Sequence, residues 1–277
     1  MPSASDIVPK SIQYKTAPPS AIYMGELHSG NVKTDKIYIY GKHAVSEAVE
    51  NAPHIVKKVF IAPSFDDGKI RALVAKAGIQ AQILKGNDLI GADAVHQGIV
   101  ALVETDLLLR PFEAFFDSFN PTADSAFALL GEIQDPHNAG AIIRSASAMG
   151  LSGVLIPKDR TVQVTGAVVK TSAGMAFRIP LISIGNINQT IRLLKDKGFW
   201  IYGLSGKGSG ELNKETFTAP SVFIVGNEGK GIREKTEELC DVTLKIPMHP
   251  RTESLNAAAS AAVVFYEWST EHPNALK

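Results

Sequence analysis

The chain has 277 residues, 45% of them hydrophobic and 20% charged, and its 28 basic and 28 acidic side chains leave no net charge at neutral pH. This length suits one or two domains with a sizeable core. The charge balance excludes a protein that binds nucleic acid through bulk charge alone. A single cysteine, Cys240, excludes an internal disulfide and fits a reducing compartment.

The N-terminal region has no feature of a targeting or membrane segment. Residues 1–36 are rich in proline, serine and threonine without periodicity, which predicts a flexible tail. They lack the layout of a secretory signal and the arginines of a mitochondrial presequence. No apolar run in the chain approaches the roughly 18 residues that a membrane helix needs. We therefore expect a cytoplasmic protein that does not enter a membrane.

Residues 37–104 follow a β-α-β-α-β-β order. KIYIYG, VKKVFIAP, IQAQILK and HQGIVALVE have the pattern of strands, and KHAVSEAVENA and DDGKIRALVAKAG have apolar residues at helical spacing. This order predicts a small α/β domain. It contains no paired carboxylates and no metal-ligand spacing, so we expect the chemistry to lie elsewhere.

Residues 105–124 read as an interdomain linker that can include a short helix, because Pro111 and Pro121 interrupt the segment and its end is polar. From Ser125 onward, continuous apolar strands alternate with helices, which include VTGAVVKTSAGMA at 164–176, IREKTEELC at 232–240 and a closing helix over 256–269. This alternation predicts a parallel sheet that is covered on both faces. Ligands of such sheets bind beyond the carboxyl ends of the strands.

Three loops after such strands are unusual, namely QDPHNAGAIIR, IVGNEGKGI and IPMHPRTESLN. Each also has an ordinary explanation. Asn138 and Asn256 precede alanine-rich helices and could be N-caps. The glycines of the second loop could simply form a tight turn. Arg144 could pair with an acidic neighbour. His137 and His249 lack the partners of a zinc site, so we expect no metal. The sequence contains neither the G-x-G-x-x-G pattern of dinucleotide-binding loops nor the G-x-x-x-x-G-K-[ST] pattern of NTP-binding loops, which disfavours both classes of enzyme.

Together the three loops resemble motifs 1, 2 and 3 of the SpoU-type (TrmH-like) branch of the SPOUT RNA methyltransferases. The matching residues are Asn138, Gly140 and Arg144 in motif 1, Gly226, Glu228 and Gly229 in motif 2, and Ile246–Met248 with Ser254–Asn256 in motif 3. The resemblance covers about residues 125–270. Residues 37–104 resemble the L30e-like RNA substrate-binding domain, and the arrangement is most similar to bacterial 23S rRNA guanosine-2′-O-methyltransferases.

The resemblance implies a fold that periodicity would not predict. Residues 125–272 would form a SPOUT-type α/β domain with a parallel sheet and a C-terminal trefoil knot, although knots are rare in proteins. S-adenosylmethionine would bind in the knot, with contacts near Gly206 and at Gly226, Ile246 and Leu255. A glycine at 226 would allow the backbone to approach a ligand closely. The family also implies a homodimer in which the closing helix packs against the partner subunit and completes the active site.

The implied reaction is methyl transfer to a ribose 2′-hydroxyl, in a guanosine of 23S rRNA. The family assigns activation of that hydroxyl to the motif 1 arginine, here Arg144. Because a guanidinium holds its proton too tightly to be an easy base, we favour a fixed cation that stabilises the developing alkoxide. Asn138, Glu228, Ser254 and Asn256 would shape the site.

Two alternatives remain. A tRNA ribose 2′-O-methyltransferase would keep the chemistry, but tRNA relatives often lack the additional domain at 37–104. A non-catalytic RNA-binding protein would not need the motif residues. The candidate contacts to RNA are Lys42, Lys57, Lys58, Lys158, Arg160, Lys170 and Arg251. The third loop has Pro250 where the family often has glycine, which leaves the choice of substrate more open than the choice of reaction.

Overall fold

The structure is a computed structural model that describes residues 36–85, 89–90 and 95–277. The tail predicted over residues 1–36 lies outside the described residues, except for Lys36. In the described part of the chain, no helix is long and apolar enough to cross a membrane.

The first sheet has four strands in the order β1-β4-β2-β3. Its elements are β1 Lys36–Tyr40, α1 Lys42–Asn51, β2 Val56–Ile61, α2 Gly68–Lys76, β3 Ala81–Ile83 and β4 Ile99–Glu104. Strand β4 is antiparallel to β1 and β2, whereas β2 and β3 are parallel. The β-α-β-α-β-β order predicted from the sequence is confirmed.

The second sheet has eight strands in the order β10-β12-β9-β11-β6-β7-β8-β5, and all of its pairings are parallel. Its strands are β5 Leu109–Pro111, β6 Ala126–Leu130, β7 Gly153–Pro157, β8 Leu181–Ile184, β9 Trp200–Leu204, β10 Gly210–Glu211, β11 Ser221–Val225 and β12 Val242–Lys245. The helices of this part are α3 Phe112–Phe116, α4 Pro136–Ala148, α5 Gly166–Thr171, α6 Ile187–Asp196, α7 Glu234–Glu237 and α8 Ala257–Glu271.

Both faces of this sheet are covered, as the apolar strands predicted. Along β6, Ala126 and Ala128 belong to one hydrophobic core, whereas Phe127 and Leu129 belong to a second core. Successive side chains of a strand point to opposite faces, so the two cores lie on opposite sides of the sheet. The α/β class with a central parallel sheet is therefore confirmed.

The segment 105–124, predicted as a linker, contributes secondary structure to this sheet. Strand β5 pairs with β8 at the sheet edge, and the predicted short helix is α3. Phe116 of α3 is buried, and its ring centroid lies 5.1 Å from that of Phe127 and 6.0 Å from that of Phe199. The division of the chain into domains stays a prediction.

Two helices are shorter than their sequences indicated. The helix expected over 164–176 ends with α5 at Thr171, because the chain turns into the left-handed region at Ala173 and Gly174. The helix expected over 232–240 is reduced to the four residues of α7.

The two sheets belong to one compact unit and meet at the turn that follows α5. The Arg178 guanidinium donates to both carboxylate oxygens of Glu47 in α1. The Lys170 ammonium lies 4.8 Å from the centre of the Tyr40 ring in β1. A side chain at position 174 would collide with Glu47, which together with its positive φ explains the glycine there.

Candidate active site

Helix α4 begins before Asn138, which lies inside the first turn of the helix. Asp135 is the N-cap, its Oδ1 accepts a hydrogen bond from the His137 N–H at 2.8 Å, and Pro136 is the first helical residue. The N-cap interpretation of Asn138 is therefore wrong. Since Asp135 already satisfies the helix start, the Asn138 side chain is free to turn inward, and the residue is only 8% exposed.

Asn138 connects the three motif loops. Its Nδ2 donates to Glu228 Oε1 at 2.8 Å, and its Oδ1 accepts from Asn256 Nδ2 at 2.9 Å. These partners are 90 and 118 residues away in sequence. We call the row Asn256–Asn138–Glu228 the amide relay. It is the contact through which motifs 1, 2 and 3 meet.

The start of helix α8 fixes the polarity of the amide relay. Asn256 Oδ1 accepts from the backbone N–H groups of Ala258 and Ala259 at 2.9 and 3.2 Å, so its predicted N-cap role is confirmed. Backbone N–H groups only donate, so the Asn256 amide nitrogen must face Asn138. Asn138 then presents its own nitrogen to Glu228, which accepts as a carboxylate.

A cavity of about 600 Å³ adjoins the amide relay at the carboxyl ends of β9, β11 and β12. The four predicted cofactor contacts, Gly206, Gly226, Ile246 and Leu255, all line it. Glu228 and Ser254 line it as well. Its apolar wall consists of Leu204, Val225, Ile232, Leu244 and Met248. This size and mixture of walls is typical of a site for a small organic ligand.

Asn138 and Asn256 do not line the cavity themselves. They reach its wall through Glu228, the last member of the amide relay. The two asparagines therefore contact the cavity wall only indirectly, through Glu228.

The glycines of the motifs have separate structural reasons. At Gly226 an added Cβ would lie 2.5 Å from the carbonyl carbon of Gly231 and 2.6 Å from the nitrogen of Ile232. The chain itself occupies that space, so the fold alone already requires glycine at 226, and close approach of a ligand there stays a prediction. At Gly140 an added Cβ would lie 2.7 Å from the Val168 carbonyl oxygen, so this glycine lets α4 pack against α5.

Gly206 differs from these positions. An added Cβ there meets no described atom within 4 Å beyond its own chain neighbours. The fold therefore does not require glycine at 206, and the residue lines the cavity.

Arg144 is not brought to the amide relay within one chain. It is exposed on α4, does not line the cavity, and forms no hydrogen bond or ion pair with any residue that the structure describes. Arg144 lies six positions after Asn138 in α4, which places it about 9 Å further along the helix axis and on a different face of the helix. The ordinary explanation, an ion pair with an acidic neighbour, is thus not found among the described residues.

Asn227 was missed by the sequence reasoning and shapes the second loop. Its Oδ1 accepts from the N–H groups of Gly229 and Lys230 at 3.0 and 3.1 Å, and its Nδ2 donates to the Glu132 carbonyl at 3.1 Å. An asparagine two residues before a glycine is a common signal for such a turn. The contact ties the loop that carries Glu228 to the loop that precedes α4.

Two further observations concern residues that could act as a nucleophile or as metal ligands. Burial raises the pKa of the Cys240 thiol to about 12, so this cysteine stays protonated and is a poor nucleophile. Over the described ranges, no group of three or more histidine, cysteine or acidic side chains is placed to hold a metal ion.

Two protein-family models match the chain. A sequence model of the SpoU rRNA Methylase family matches residues 125–266, and a model described as RNA 2′-O ribose methyltransferase substrate binding matches residues 38–106. The chain belongs to the SpoU rRNA methylase family, and the resemblance seen in its motifs is confirmed.

Two relatives are named 23S rRNA (guanosine-2′-O-)-methyltransferase RlmB. The one from Pseudomonas syringae pv. tomato is 34% identical over 83% of this chain and 93% of its own length. The one from Escherichia coli K12 is 34% identical over 83% of this chain and 96% of its own length. A putative TrmH family tRNA/rRNA methyltransferase from Staphylococcus saprophyticus is 35% identical over 84% of this chain and 95% of its own length.

Among solved structures, the SpoU methyltransferase AviRb from Streptomyces viridochromogenes has the same fold. It superposes with a TM-score of 0.73 at 24% identity, over 86% of this chain and 90% of that one.

The two cavity glycines give a matched test of the loop geometry. Gly226→Ala should lower the free energy of unfolding by about 1–3 kcal/mol, because its Cβ has no space against the backbone of residues 231 and 232. Gly206→Ala should leave that free energy unchanged. Urea unfolding of both variants measures the difference, and equal losses of stability would contradict the assignment.

Proposed function

We propose that this chain transfers a methyl group from S-adenosylmethionine to the ribose 2′-hydroxyl of a guanosine in 23S rRNA. The observation that carries the proposal is the amide relay, which joins the three motif loops beside one cavity. The RlmB relatives, which match this chain over most of its length, support the choice of substrate.

The cavity fits S-adenosylmethionine in size and in the character of its walls. Backbone groups near Gly206, Gly226, Ile246 and Leu255 would hold the cofactor, and the apolar wall would cover its adenine. When bound, the cofactor supplies an electrophilic methyl group on a sulfonium sulfur. The open space at Gly206, which the fold does not need, supports this use of the cavity.

Glu228 would orient the target nucleotide. Its Oε1 is held by Asn138, whereas its second carboxylate oxygen has no hydrogen-bond partner among the described residues. The amide relay fixes the carboxylate before the substrate arrives, so no reorganisation is needed at the moment of reaction. Ser254, which lines the same cavity, would hold the third loop and meet the RNA.

A second copy of the chain would complete the site. Arg144 is exposed and unpaired within the described part of this chain, and it lies on α4, which packs against α8. Helix α8 also exposes Val263 and Tyr266. We therefore favour a homodimer in which Arg144 of one subunit serves the cavity of the other as a fixed cation for the developing alkoxide.

The C-terminal trefoil knot belongs to this proposal as well. Strand β12 lies between β9 and β10, and the segment that follows it meets the loops after β9 and β11 at one cavity before α8 begins. This gathering of three loops supports a knot.

Residues 37–104 would bind the RNA substrate, as the match of the substrate-binding model supports. Several candidate contacts already have partners within the chain. Lys42 pairs with Asp67 at 3.2 Å, and Lys57 pairs with Glu104 at 2.8 Å. Among the candidates in residues 37–104, these pairs therefore favour Lys58 as a contact to RNA. A ribosomal RNA substrate would place the enzyme in the cytoplasm.

Transfer of labelled methyl groups into unmodified 23S rRNA and, in parallel, tRNA tests the function. We expect one 2′-O-methylguanosine in 23S rRNA, and kcat should fall about 10²–10³-fold in Arg144→Ala, which removes a preorganised charge. Label only in tRNA would keep the reaction and overturn the substrate. Cofactor binding without any transfer would favour the non-catalytic RNA-binding protein.

Mixing two impaired variants tests the shared site. Arg144→Ala and Glu228→Gln should each retain at most about a hundredth of wild-type activity, because each removes one half of every site. After subunit exchange, activity should return to about a quarter of wild type, since about half of the dimers are mixed and one of their two sites is intact. No recovery, with exchange verified by mass spectrometry, would place Arg144 in its own subunit's site.

A further inference from the structure

Two left-handed residues that are not glycine meet at the carboxyl edge of the large sheet. Glu132 has a φ of 65° and Arg160 has a φ of 61°. The left-handed backbone region is unfavourable for residues other than glycine, asparagine and aspartate. Such backbone strain persists only where the surrounding structure holds the residue in place. Arg160 Nη1 lies 3.9 Å from Glu132 Oε1.

Arg233 joins the same carboxylate oxygen. Its Nε lies 2.6 Å from Glu132 Oε1, so both guanidinium groups form ion pairs with the same carboxylate oxygen. We call Glu132, Arg160 and Arg233 the arginine pair cluster. Its formal charge is +1, and the side chains of Arg160 and Arg233 remain 64% and 56% exposed, compared with 19% for Glu132.

Most donors of the two arginines are unused. Arg233 contacts the carboxylate through Nε, and its two terminal nitrogens have no partner among the described residues. The Arg160 contact is too long for a hydrogen bond. One carboxylate therefore lies close to two guanidinium groups but leaves most of their N–H donors without a partner among the described residues.

The cluster adjoins the proposed active site. The Glu132 carbonyl accepts from Asn227, the neighbour of Glu228 in the amide relay. Arg233 directly follows Ile232, which lines the cavity. The cluster thus lies next to the second motif loop, which forms one wall of the cavity.

We propose that Arg160 and Arg233 bind one backbone phosphate of the RNA next to the target ribose, and that Glu132 holds the two guanidinium groups in register. The inference rests on the proposed function and adds a substrate-positioning site to it. A guanidinium presents a planar fork of donors that matches phosphate oxygens. Two forks around one point, with a net positive charge and open to solvent, suit an anion that carries several acceptors.

Glutamine substitutions test the site. In Arg160→Gln and Arg233→Gln, the KM for RNA should rise about tenfold each, because each loses charge-assisted hydrogen bonds to the phosphate. The dissociation constant for S-adenosylmethionine should stay unchanged. In the double variant, the slope of log Kd for RNA against log salt should fall by about 1, the value for one lost phosphate contact.

Arg192→Gln is the matched control, because Arg192 is exposed on α6 and lies outside the cluster. It should leave the KM and the salt slope unchanged. If the double variant also keeps both at wild-type values and loses only melting temperature, the cluster is structural and the proposal is wrong.

Glu132→Gly separates positioning from strain. Glycine relieves the positive φ, so the melting temperature should stay the same or rise, while the KM for RNA should increase as the arginines lose their register. An unchanged KM in this variant would overturn the role given to Glu132.

The salt slope is obtained from RNA binding and the KM from turnover, so the two proposals can fail separately. A wild-type chain that binds RNA without methylating it would contradict the proposed function. It would leave the arginine pair cluster testable through Kd alone.

Discussion

The amide relay is the interaction on which the rest of the site depends. It begins at two backbone N–H groups of helix α8, passes through Asn256 and Asn138, and ends at the carboxylate of Glu228. Every direction along this row follows from the fact that a backbone N–H can only donate. The start of a helix therefore sets the orientation of a carboxylate on another loop, and this row of hydrogen bonds joins the three motif loops.

The fold supplies this arrangement at the carboxyl edge of a parallel sheet, where such sheets place their ligand sites. Helix α4 can give Asn138 to the relay because Asp135 caps the helix instead. Gly140 and Gly226 are small because neighbouring backbone occupies their space. Helix α4 also places Arg144 away from the cavity, which is why the proposed function assigns this cation to the site of a second subunit.

The sequence was sufficient for the class of fold, because continuous apolar strands such as those around Phe127 and Val225 predict a buried parallel sheet. Motif spacing was sufficient for the family and for six residues that line the cavity, namely Gly206, Gly226, Glu228, Ile246, Ser254 and Leu255. It could not distinguish Asn256, which caps its helix, from Asn138, which does not, because both looked like N-caps in the sequence. It also could not predict the hydrogen bond between them, which depends on packing across 118 residues. Glu132 and Arg233 were missed because neither belongs to a motif, and an ion pair between them requires the fold.

Asn256→Asp tests the central claim most directly. Aspartate keeps an oxygen to cap α8 but replaces the amide nitrogen that donates to Asn138, so Asn138 then faces a carboxylate on each side. We expect a melting temperature close to wild type, because an anionic N-cap is favourable. We expect kcat to fall by about 10²-fold, the loss typical of one preorganised group. A kcat within twofold of wild type, with the cap intact, would contradict the claim that the amide relay organises the active site.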